Sequence, residues 1–370
     1  MTSFPAHVIR PAADRNFARY TDSGLYSHLD FSNKIPSHLS SILSKAANAS
    51  LSKETWSSYN SGLKMFQACQ DELQTIWSPP LKDSEVLTYV GWMLNKNLST
   101  ATINTYLAAL RHLYIKLSLD PSSIRSDLVK QILRGRDHQQ LTTKTACESK
   151  FRLPVTPAIL KLMKMDLKDS GMKPEKKLLF WSVATLCFAG AFRIHELLSK
   201  HHAKFEPINT LLGQDVKLRK ITINKEQVLT LQITLKQEKT NSSKTPTILD
   251  IYQSSGPLCP ISAFNKWRSH TNVMEDDLPC FRTSDGRALT GREYNGYLAT
   301  FSKKYFPDSK GKISSHSFRI GLASTLGKLG YTDSEIQLSG RWSSRAFESY
   351  LKLPRTKRAA VAKEIGKLSS

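Results

Sequence analysis

Along the first third of the chain, apolar residues return at helical spacing. Trp56, Tyr59, Leu63 and Phe66 recur near i, i+3, i+7 and i+10 behind Ser52, whose hydroxyl suits a helix cap. Ser84 opens SEVLTYVGWMLNK. Ser99 opens STATINTYLAALRHLYIKL, which puts Ile103, Leu107, Leu110 and Tyr114 on one face, and SDLVKQILRGR closes the series. The pattern predicts a compact domain of four or five helices over residues 38–137, with Arg111, Lys130, Arg134 and Arg136 on its outer faces. Residues 1–37 carry scattered Pro, Ser and Arg without sustained periodicity and read as an arm. The polar, aperiodic run DHQQLTTKTACESKFRL reads as a linker over 138–153, which leaves 154–370 as a second domain.

In that second domain Thr156 and Pro157 form a cap and first-turn pair. Helices are expected near 157–166 and 174–188, the latter carrying the apolar run LLFWSVATLCFAGAF. That run is about half the length a membrane span needs, so it reads as a buried core helix. Between Lys217 and Tyr252 the period changes to two. KLRKITIN, VLTLQITLK and TPTILDIY each alternate β-branched and polar residues, with polar turns between them, and predict a small antiparallel sheet. From Gly291 onward the pattern returns to helices. The expected fold is therefore mainly α with a small antiparallel β-sheet, the sheet belonging to an α+β second domain.

Charge narrows the partner. Lysine and arginine outnumber aspartate and glutamate 53 to 31, a net charge of +22, which points to a polyanion, nucleic acid first. The five cysteines, Cys69, Cys147, Cys187, Cys259 and Cys280, are odd in number and never form a CxxC pair, which argues against a disulfide framework or a zinc site. No apolar run reaches the roughly 18 residues of a membrane span, and the N-terminus lacks a secretory apolar region. An intracellular protein is expected, and Lys357 and Arg358 in RTKR are compatible with nuclear import.

The sharpest local chemistry lies between His316 and Leu351. His316 and Arg319 stand three apart, so on a helix the imidazole and guanidinium share a face. Upstream, FRIHELLS sets Arg193 and Glu196 three apart directly after the apolar run. Downstream, GRWSSRAFESYL places Trp342 and Tyr350 eight apart beyond a break at Gly340. Singly, each has a plain explanation: a surface His–Arg pair, a helical Arg–Glu pair worth a few tenths of a kcal/mol, a core tryptophan, a surface tyrosine.

Together, the order Arg193, Lys239, His316-x-x-Arg319, Trp342, Tyr350 in one basic chain resembles the tyrosine recombinase or integrase family, which includes phage integrases, Cre and the Xer proteins. The resemblance covers about residues 38–360. Within the family the chain is most similar to recombinases of DIRS-like and crypton-type eukaryotic mobile elements. The shared phrases are HSFRIG at His316–Gly321, GRWSS at Gly340–Ser344, GPLCPISAF at Gly256–Phe264 and KTN at Lys239–Asn241. In Cre and the Xer proteins the interval from Trp or His to Tyr is longer by one. The resemblance implies a helical core-binding domain over 38–137 and a catalytic domain from 154. It implies that Arg193 and Arg319 clamp a scissile phosphate, that His316 and Trp342 complete its hydrogen-bond cage, and that Tyr350 attacks. Glu196 would buttress Arg193, and Lys239 would be the general acid, chosen over Lys236 and Lys244 because KT at the turn matches the family phrase.

These residue types suit the reaction. A covalent phosphotyrosine splits one strand transfer into two nearly isoenergetic steps. Two permanently charged guanidiniums stabilise the transition-state oxygens without a metal or cofactor, which fits the lack of an obvious carboxylate cluster. The departing 5′ hydroxyl needs a proton from a positioned acid. Tyr350, with an ordinary pKa of about 10, has to lose its proton during attack. Assistance there falls to His316, as a base or as a phosphate hydrogen-bond donor. The implied partner is double-stranded DNA, bound by a tetramer acting on two sites. The stripe of Ala360, Val361, Ile365 and Leu368 would dock on a neighbouring subunit or on its own domain. Two rival readings are a mobile-element-derived DNA-binding protein that no longer recombines, and a type IB topoisomerase-like enzyme.

Overall fold

A computed structural model describes residues 36–143, 152–236, 245–271, 277–309 and 311–350. The arm, the hairpin turn with Lys239 and Lys244, the basic cluster at Lys357 and Arg358, and the apolar stripe of the tail lie outside the described residues. The chain divides into two compact units, Met1–Cys147 and Glu148–Ser370.

Among the described residues the first unit holds five α-helices: α1 (Ser37–Ala49), α2 (Lys53–Leu73), α3 (Asp83–Asn95), α4 (Thr100–Lys116) and α5 (Asp127–Thr143). Ser52 caps α2 by accepting from the Thr55 N–H at 3.2 Å, and Ser99 caps α4 by accepting from the Thr102 N–H at 3.1 Å. Two expectations shift. α3 starts at Asp83, so Ser84 lies inside the first turn, and the Glu85 carboxylate accepts from the Lys82 N–H at 2.8 Å in place of a serine cap. α5 runs on to Thr143, into the expected linker. Polar residues such as glutamine sustain a helix that has no apolar face to betray it. Phe66, Leu107, Leu110 and Tyr114 are buried in the core. α2 and α4 approach closely at Gly62, where a Cβ would stand 2.9 Å from that of Ala109.

In the second unit α6 (Pro157–Asp169) begins at Thr156, whose hydroxyl accepts from the Ile159 N–H. α7 (Pro174–Ala189) is buried from Leu179 to Cys187, as its almost wholly apolar run requires. The four-residue α8 (Ile194–Leu197) follows. Strands β1 (Val216–Ile223), β2 (Glu226–Leu235) and β3 (Thr247–Tyr252) form one antiparallel sheet in the order β1-β2-β3. Leu218 pairs with Leu231, and Leu231 with Ile251. Asn224 and Lys225, both at positive φ, make the tight β1–β2 turn. Period two then turns Leu231, Ile233, Leu235 and Ile251 into the core.

α9 (Pro260–Thr271) stands where the apolar pattern announced no element. α10 (Gly291–Tyr305), α11 (His316–Leu329) and α12 (Asp333–Gly340) lead to a 3-10 helix, Arg345–Tyr350. A mainly helical chain with one small antiparallel sheet is the expected fold class.

α11 is anchored along the segment before α6. The Val155 N–H donates to the Ser317 carbonyl at 2.9 Å, and a Cβ on Gly321 would sit 1.9 Å from the Val155 oxygen. Gly321→Ala is therefore expected to destabilise the protein by about 1–3 kcal/mol or more, the cost of overpacking. Gly91→Ala, on an exposed face of α3 with nothing within 4 Å, should instead stabilise by about 0.5–1 kcal/mol. Paired urea denaturation of the two variants tests both signs.

Candidate active site

The site grows from the turn after α7. Gly190 caps that helix, and the Phe192 ring folds back over it so closely that a Cβ on Gly190 would lie 2.2 Å from the ring. Ala191 adopts a left-handed conformation, φ 46°. The chain thus turns sharply, and Arg193 emerges at the next step. Arg193 is not on a helical face with Glu196, as its spacing suggested. It is the extended N-cap of α8, φ −74° and ψ 140°. The three-residue interval serves a cap instead. Glu196 reaches back to accept from the Arg193 N–H at 2.9 Å and from its Nη1 at 2.8 Å.

The Glu196 side chain is 1% exposed, and its second oxygen also accepts from Arg341 Nη2 at 2.8 Å. Burial pushes the Glu196 carboxyl up, but the charge and hydrogen bonds of Arg341, with those of Arg193, outweigh it and hold the group below its ordinary range.

α11 presents the His–Arg pair. His316 opens the helix, half-buried, and Arg319 follows one turn later, only 2% exposed. Arg319 donates through Nη1 to the Ala191 carbonyl and through Nη2 to the Gly340 carbonyl at 2.9 Å. Its guanidinium also lies 5.0 Å from the centre of the Trp342 ring. His316 is pushed down to about 4 by burial, then by the positive charges of Arg152, Arg319 and Arg193. At neutral pH it is uncharged, so one ring nitrogen carries a proton and the other is an acceptor.

α12 ends at Gly340, where a Cβ would meet the Trp342 ring at 1.6 Å, so glycine is what lets that ring fold back. Trp342 lies 5.5 Å from Phe347, ring to ring. Phe347 is fully buried with Ala323 and Ile336, which locks down the 3-10 helix that ends at Tyr350. The structure thus gathers Arg193, Glu196, His316, Arg319 and Trp342 into one region. It gives the backbone of Tyr350 on an adjoining element, while the Tyr350 side chain and Lys239 lie outside what it describes. Lys236, at the end of β2, is held by Asp215 at 2.6 Å and by the Pro207 carbonyl at 3.0 Å.

Sequence reasoning missed Arg341 and Arg152. Arg341 stood inside the GRWSS phrase, between two residues that drew attention. Arg152 carried no signal beyond its charge. In the first unit Arg111 on α4 and Lys130 and Arg134 on α5 are exposed, and Lys130 pairs with Asp127 at 2.8 Å. Arg136 is half-buried and donates to Asn97 at 3.1 Å. Among the described residues no His, Cys, Asp and Glu cluster is placed to hold a metal ion, and no helix is long and apolar enough to cross a membrane.

Comparison with known proteins follows the same lines. Residues 46–118 match the N-terminal SAM-like domain of phage integrases. No curated protein matches the sequence. Among solved structures, the chain is similar to the Tn1549 transposon integrase in complex with transposon right end DNA. The TM-score is 0.54 at 15% identity, covering 89% of this chain and 98% of that one. It is similar to the XerH site-specific recombinase bound to palindromic difH substrate, a post-cleavage complex, with TM-score 0.55, 14% identity and coverage of 95% and 88%. It is also similar to a lambda integrase dimer bound to a COC′ core site, with TM-score 0.51, 13% identity and coverage of 84% and 94%. The fold is that of the tyrosine recombinases.

Glu196→Gln would leave two guanidiniums without their counter-charge. Removing one partner of a buried ion pair costs about 3–5 kcal/mol, and with Arg193 and Arg341 21% and 14% exposed the lower end is expected. The sign with pH follows from the depressed carboxyl. Wild type's advantage is complete above the ordinary value of 4.5 and fades as pH falls through the lower folded value. Denaturation of wild type and Glu196→Gln at pH 7 and pH 3.5 measures both.

Proposed function

We propose that the chain is a site-specific DNA recombinase that cleaves and rejoins strands through a covalent 3′-phosphotyrosine on Tyr350, and that it integrates or excises a mobile element. The observation that carries this reading is the convergence of Arg193, Glu196 and a neutral His316 beside the element that ends at Tyr350, in a fold shared with tyrosine recombinases. A site rich in arginine and served by one buried carboxylate is built to hold an anion.

In the proposed step, the Tyr350 oxygen bonds to phosphorus as the bond to the 5′ oxygen breaks. The phenolic proton leaves to a base or solvent, and neutral His316 bonds the phosphate, taking the proton only once the bound phosphate has raised its affinity. The 5′ oxygen takes a proton from Lys239. Lys236 is less available for this role because its ammonium already engages Asp215 and the Pro207 carbonyl. Arg193 stabilises charge on the non-bridging oxygens, with Glu196 fixing its orientation. Rejoining reverses the step with a different 5′ hydroxyl as nucleophile.

Phosphate contacts from both domains would supply most of the affinity, with Arg111, Lys130, Arg134 and Arg136 serving in the first. Strand exchange between two sites needs four active subunits, so the working state is a tetramer on DNA. A nuclear location fits an enzyme of eukaryotic mobile elements, the recombinases that the motif phrases resemble.

The test is to incubate the full chain with nicked duplexes bearing candidate element ends and to trap covalent complexes in denaturant. Wild type should form a protease-sensitive protein–DNA adduct that Tyr350→Phe abolishes while still shifting the DNA. Binding with no adduct across many ends would instead identify a non-catalytic DNA-binding protein.

A further inference from the structure

We infer that Arg152 and Lys312 form a second phosphate site beside the candidate active site, one that takes a backbone phosphate flanking the scissile phosphodiester. The inference rests on the recombinase reading and deepens it, by naming where the second unit grips the strand next to the point of cleavage.

Three observations carry it. The first is how the two side chains are held. Arg152 and Lys312 are partners in a parallel β-bridge, closed by the Leu153 N–H donating to the Lys312 carbonyl at 3.2 Å. A bridge of this kind sets its strands about 4.8 Å apart and sends the paired side chains to one face. The segment is pinned again where the Val155 N–H meets the Ser317 carbonyl at 2.9 Å. On the other side the Ile313 N–H donates to the Ser302 hydroxyl at 3.1 Å, and Ile313 is buried. Both backbones are therefore fixed, while the two cationic residues are exposed.

The second is charge. Like charges placed opposite each other on a ladder repel and oppose folding. Among the described residues neither Arg152 nor Lys312 pairs with a carboxylate. Other exposed cations of the chain do: Lys96 with Glu72 at 2.9 Å, Lys130 with Asp127 at 2.8 Å and Lys304 with Asp166 at 2.7 Å. An anion between Arg152 and Lys312 relieves the repulsion, and a phosphodiester offers two non-bridging oxygens, one for each cation.

The third is place. His316 opens α11 four residues beyond Lys312. After burial, the charge of Arg152 is the strongest influence that depresses the His316 imidazole, ahead of Arg319 and Arg193. The guanidinium thus lies within electrostatic reach of the group that bonds the scissile phosphate. Phosphates follow one another along a strand at a rise of about 3.4 Å, so a strand held at His316 carries its next phosphates past the same rim.

The experiment uses the full chain and duplexes bearing candidate element ends. Binding is measured by gel shift as salt rises, for wild type, Arg152→Gln/Lys312→Gln and Lys328→Gln. Lys328 is an exposed cation near the far end of the 14-residue α11, about 20 Å away and beyond the Debye length of about 10 Å. Each neutralised phosphate contributes about 0.9 to the slope of log affinity against log salt. The double variant should lose about that much slope and bind about 10-fold more weakly, while Lys328→Gln keeps the wild-type slope. Arg152→Lys/Lys312→Arg, which preserves both charges, should keep it too. If the double variant does not fold, each single Gln variant carries the same comparison.

On an end where trapped adducts map the cleaved position, a methylphosphonate then replaces one flanking phosphate at a time. At one of these positions the loss of charge should weaken wild-type binding by about 10-fold and leave the double variant unchanged, since its contact is already gone. An unchanged salt slope in the double variant, or losses that simply add at every flanking position, would overturn the site while leaving the recombinase reading intact. A reduced slope with no adduct from wild type on any end supports the pair as a DNA contact and overturns the recombinase reading.

Discussion

The arrangement of the second unit depends on one buried cation. Arg319 is permanently charged and almost wholly out of water, a state that costs several kcal/mol unless every donor is met. Two of its donors are met by main-chain carbonyls at the ends of helices, the Ala191 oxygen just past α7 and the Gly340 oxygen closing α12. Carbonyls there lack an intrahelical partner and carry the negative end of the helix dipole. One guanidinium therefore resolves two deficits at once. It also fixes, against each other, two segments far apart in sequence, 191–193 and 340–342. Trp342 lies against the same cation, and through Phe347 the constraint passes to the 3-10 helix that ends at Tyr350.

Around this anchor the charges do not balance, and the imbalance is local. Arg152, Arg193, Arg319 and Arg341 surround a region in which Glu196 is the carboxylate that pairs, and that glutamate stays ionised despite burial because two guanidiniums bond it. Burial first, and then the charges of Arg152, Arg319 and Arg193, keep His316 neutral, with its value depressed to about 4. A bound phosphate would offset part of that surplus and raise the imidazole's proton affinity, so binding and proton transfer are linked through the same field. The chain's overall charge of +22 acts at longer range. A charge of that size would draw a polyanion to the surface but would not select one phosphodiester.

How far the sequence disclosed this varies with the physics behind each feature. Helices α2 and α4 were legible because each combines a serine cap with a one-sided apolar stripe. The sheet was legible because β-branched residues alternate through three runs with polar turns between them. α9 was not, since Cys259, Ile261, Phe264 and Trp267 bury into a core from a segment without clear flanking signals. In the site, His316 and Arg319 were readable from an interval that works on a real helix. The same interval misled for Arg193 and Glu196, because i and i+3 also describe an N-cap and its reciprocal acid. Arg341 was invisible to pattern reasoning. Its importance lies in a left-handed backbone and a carboxylate far upstream in the sequence, and neither leaves a local trace.

The local costs in this region bear on whether it serves binding alone. Affinity for DNA comes cheaply from exposed lysines and arginines, whose contacts carry little strain and need no fixed geometry. Here the chain buries one arginine, buries a glutamate between two more, places Ala191 and Arg341 in left-handed conformations, and depends on Gly190 and Gly340 to let the Phe192 and Trp342 rings close over the turns. Each feature narrows the positions available to a guanidinium, and the left-handed residues do so at a cost to folding. Rigid donors aimed at one point add little to affinity over a mobile basic surface. They matter when charge develops on a particular phosphorus during reaction, because a preorganised site then stabilises the transition state without reorganising. The stored strain thus supports the proposed strand cleavage rather than passive binding.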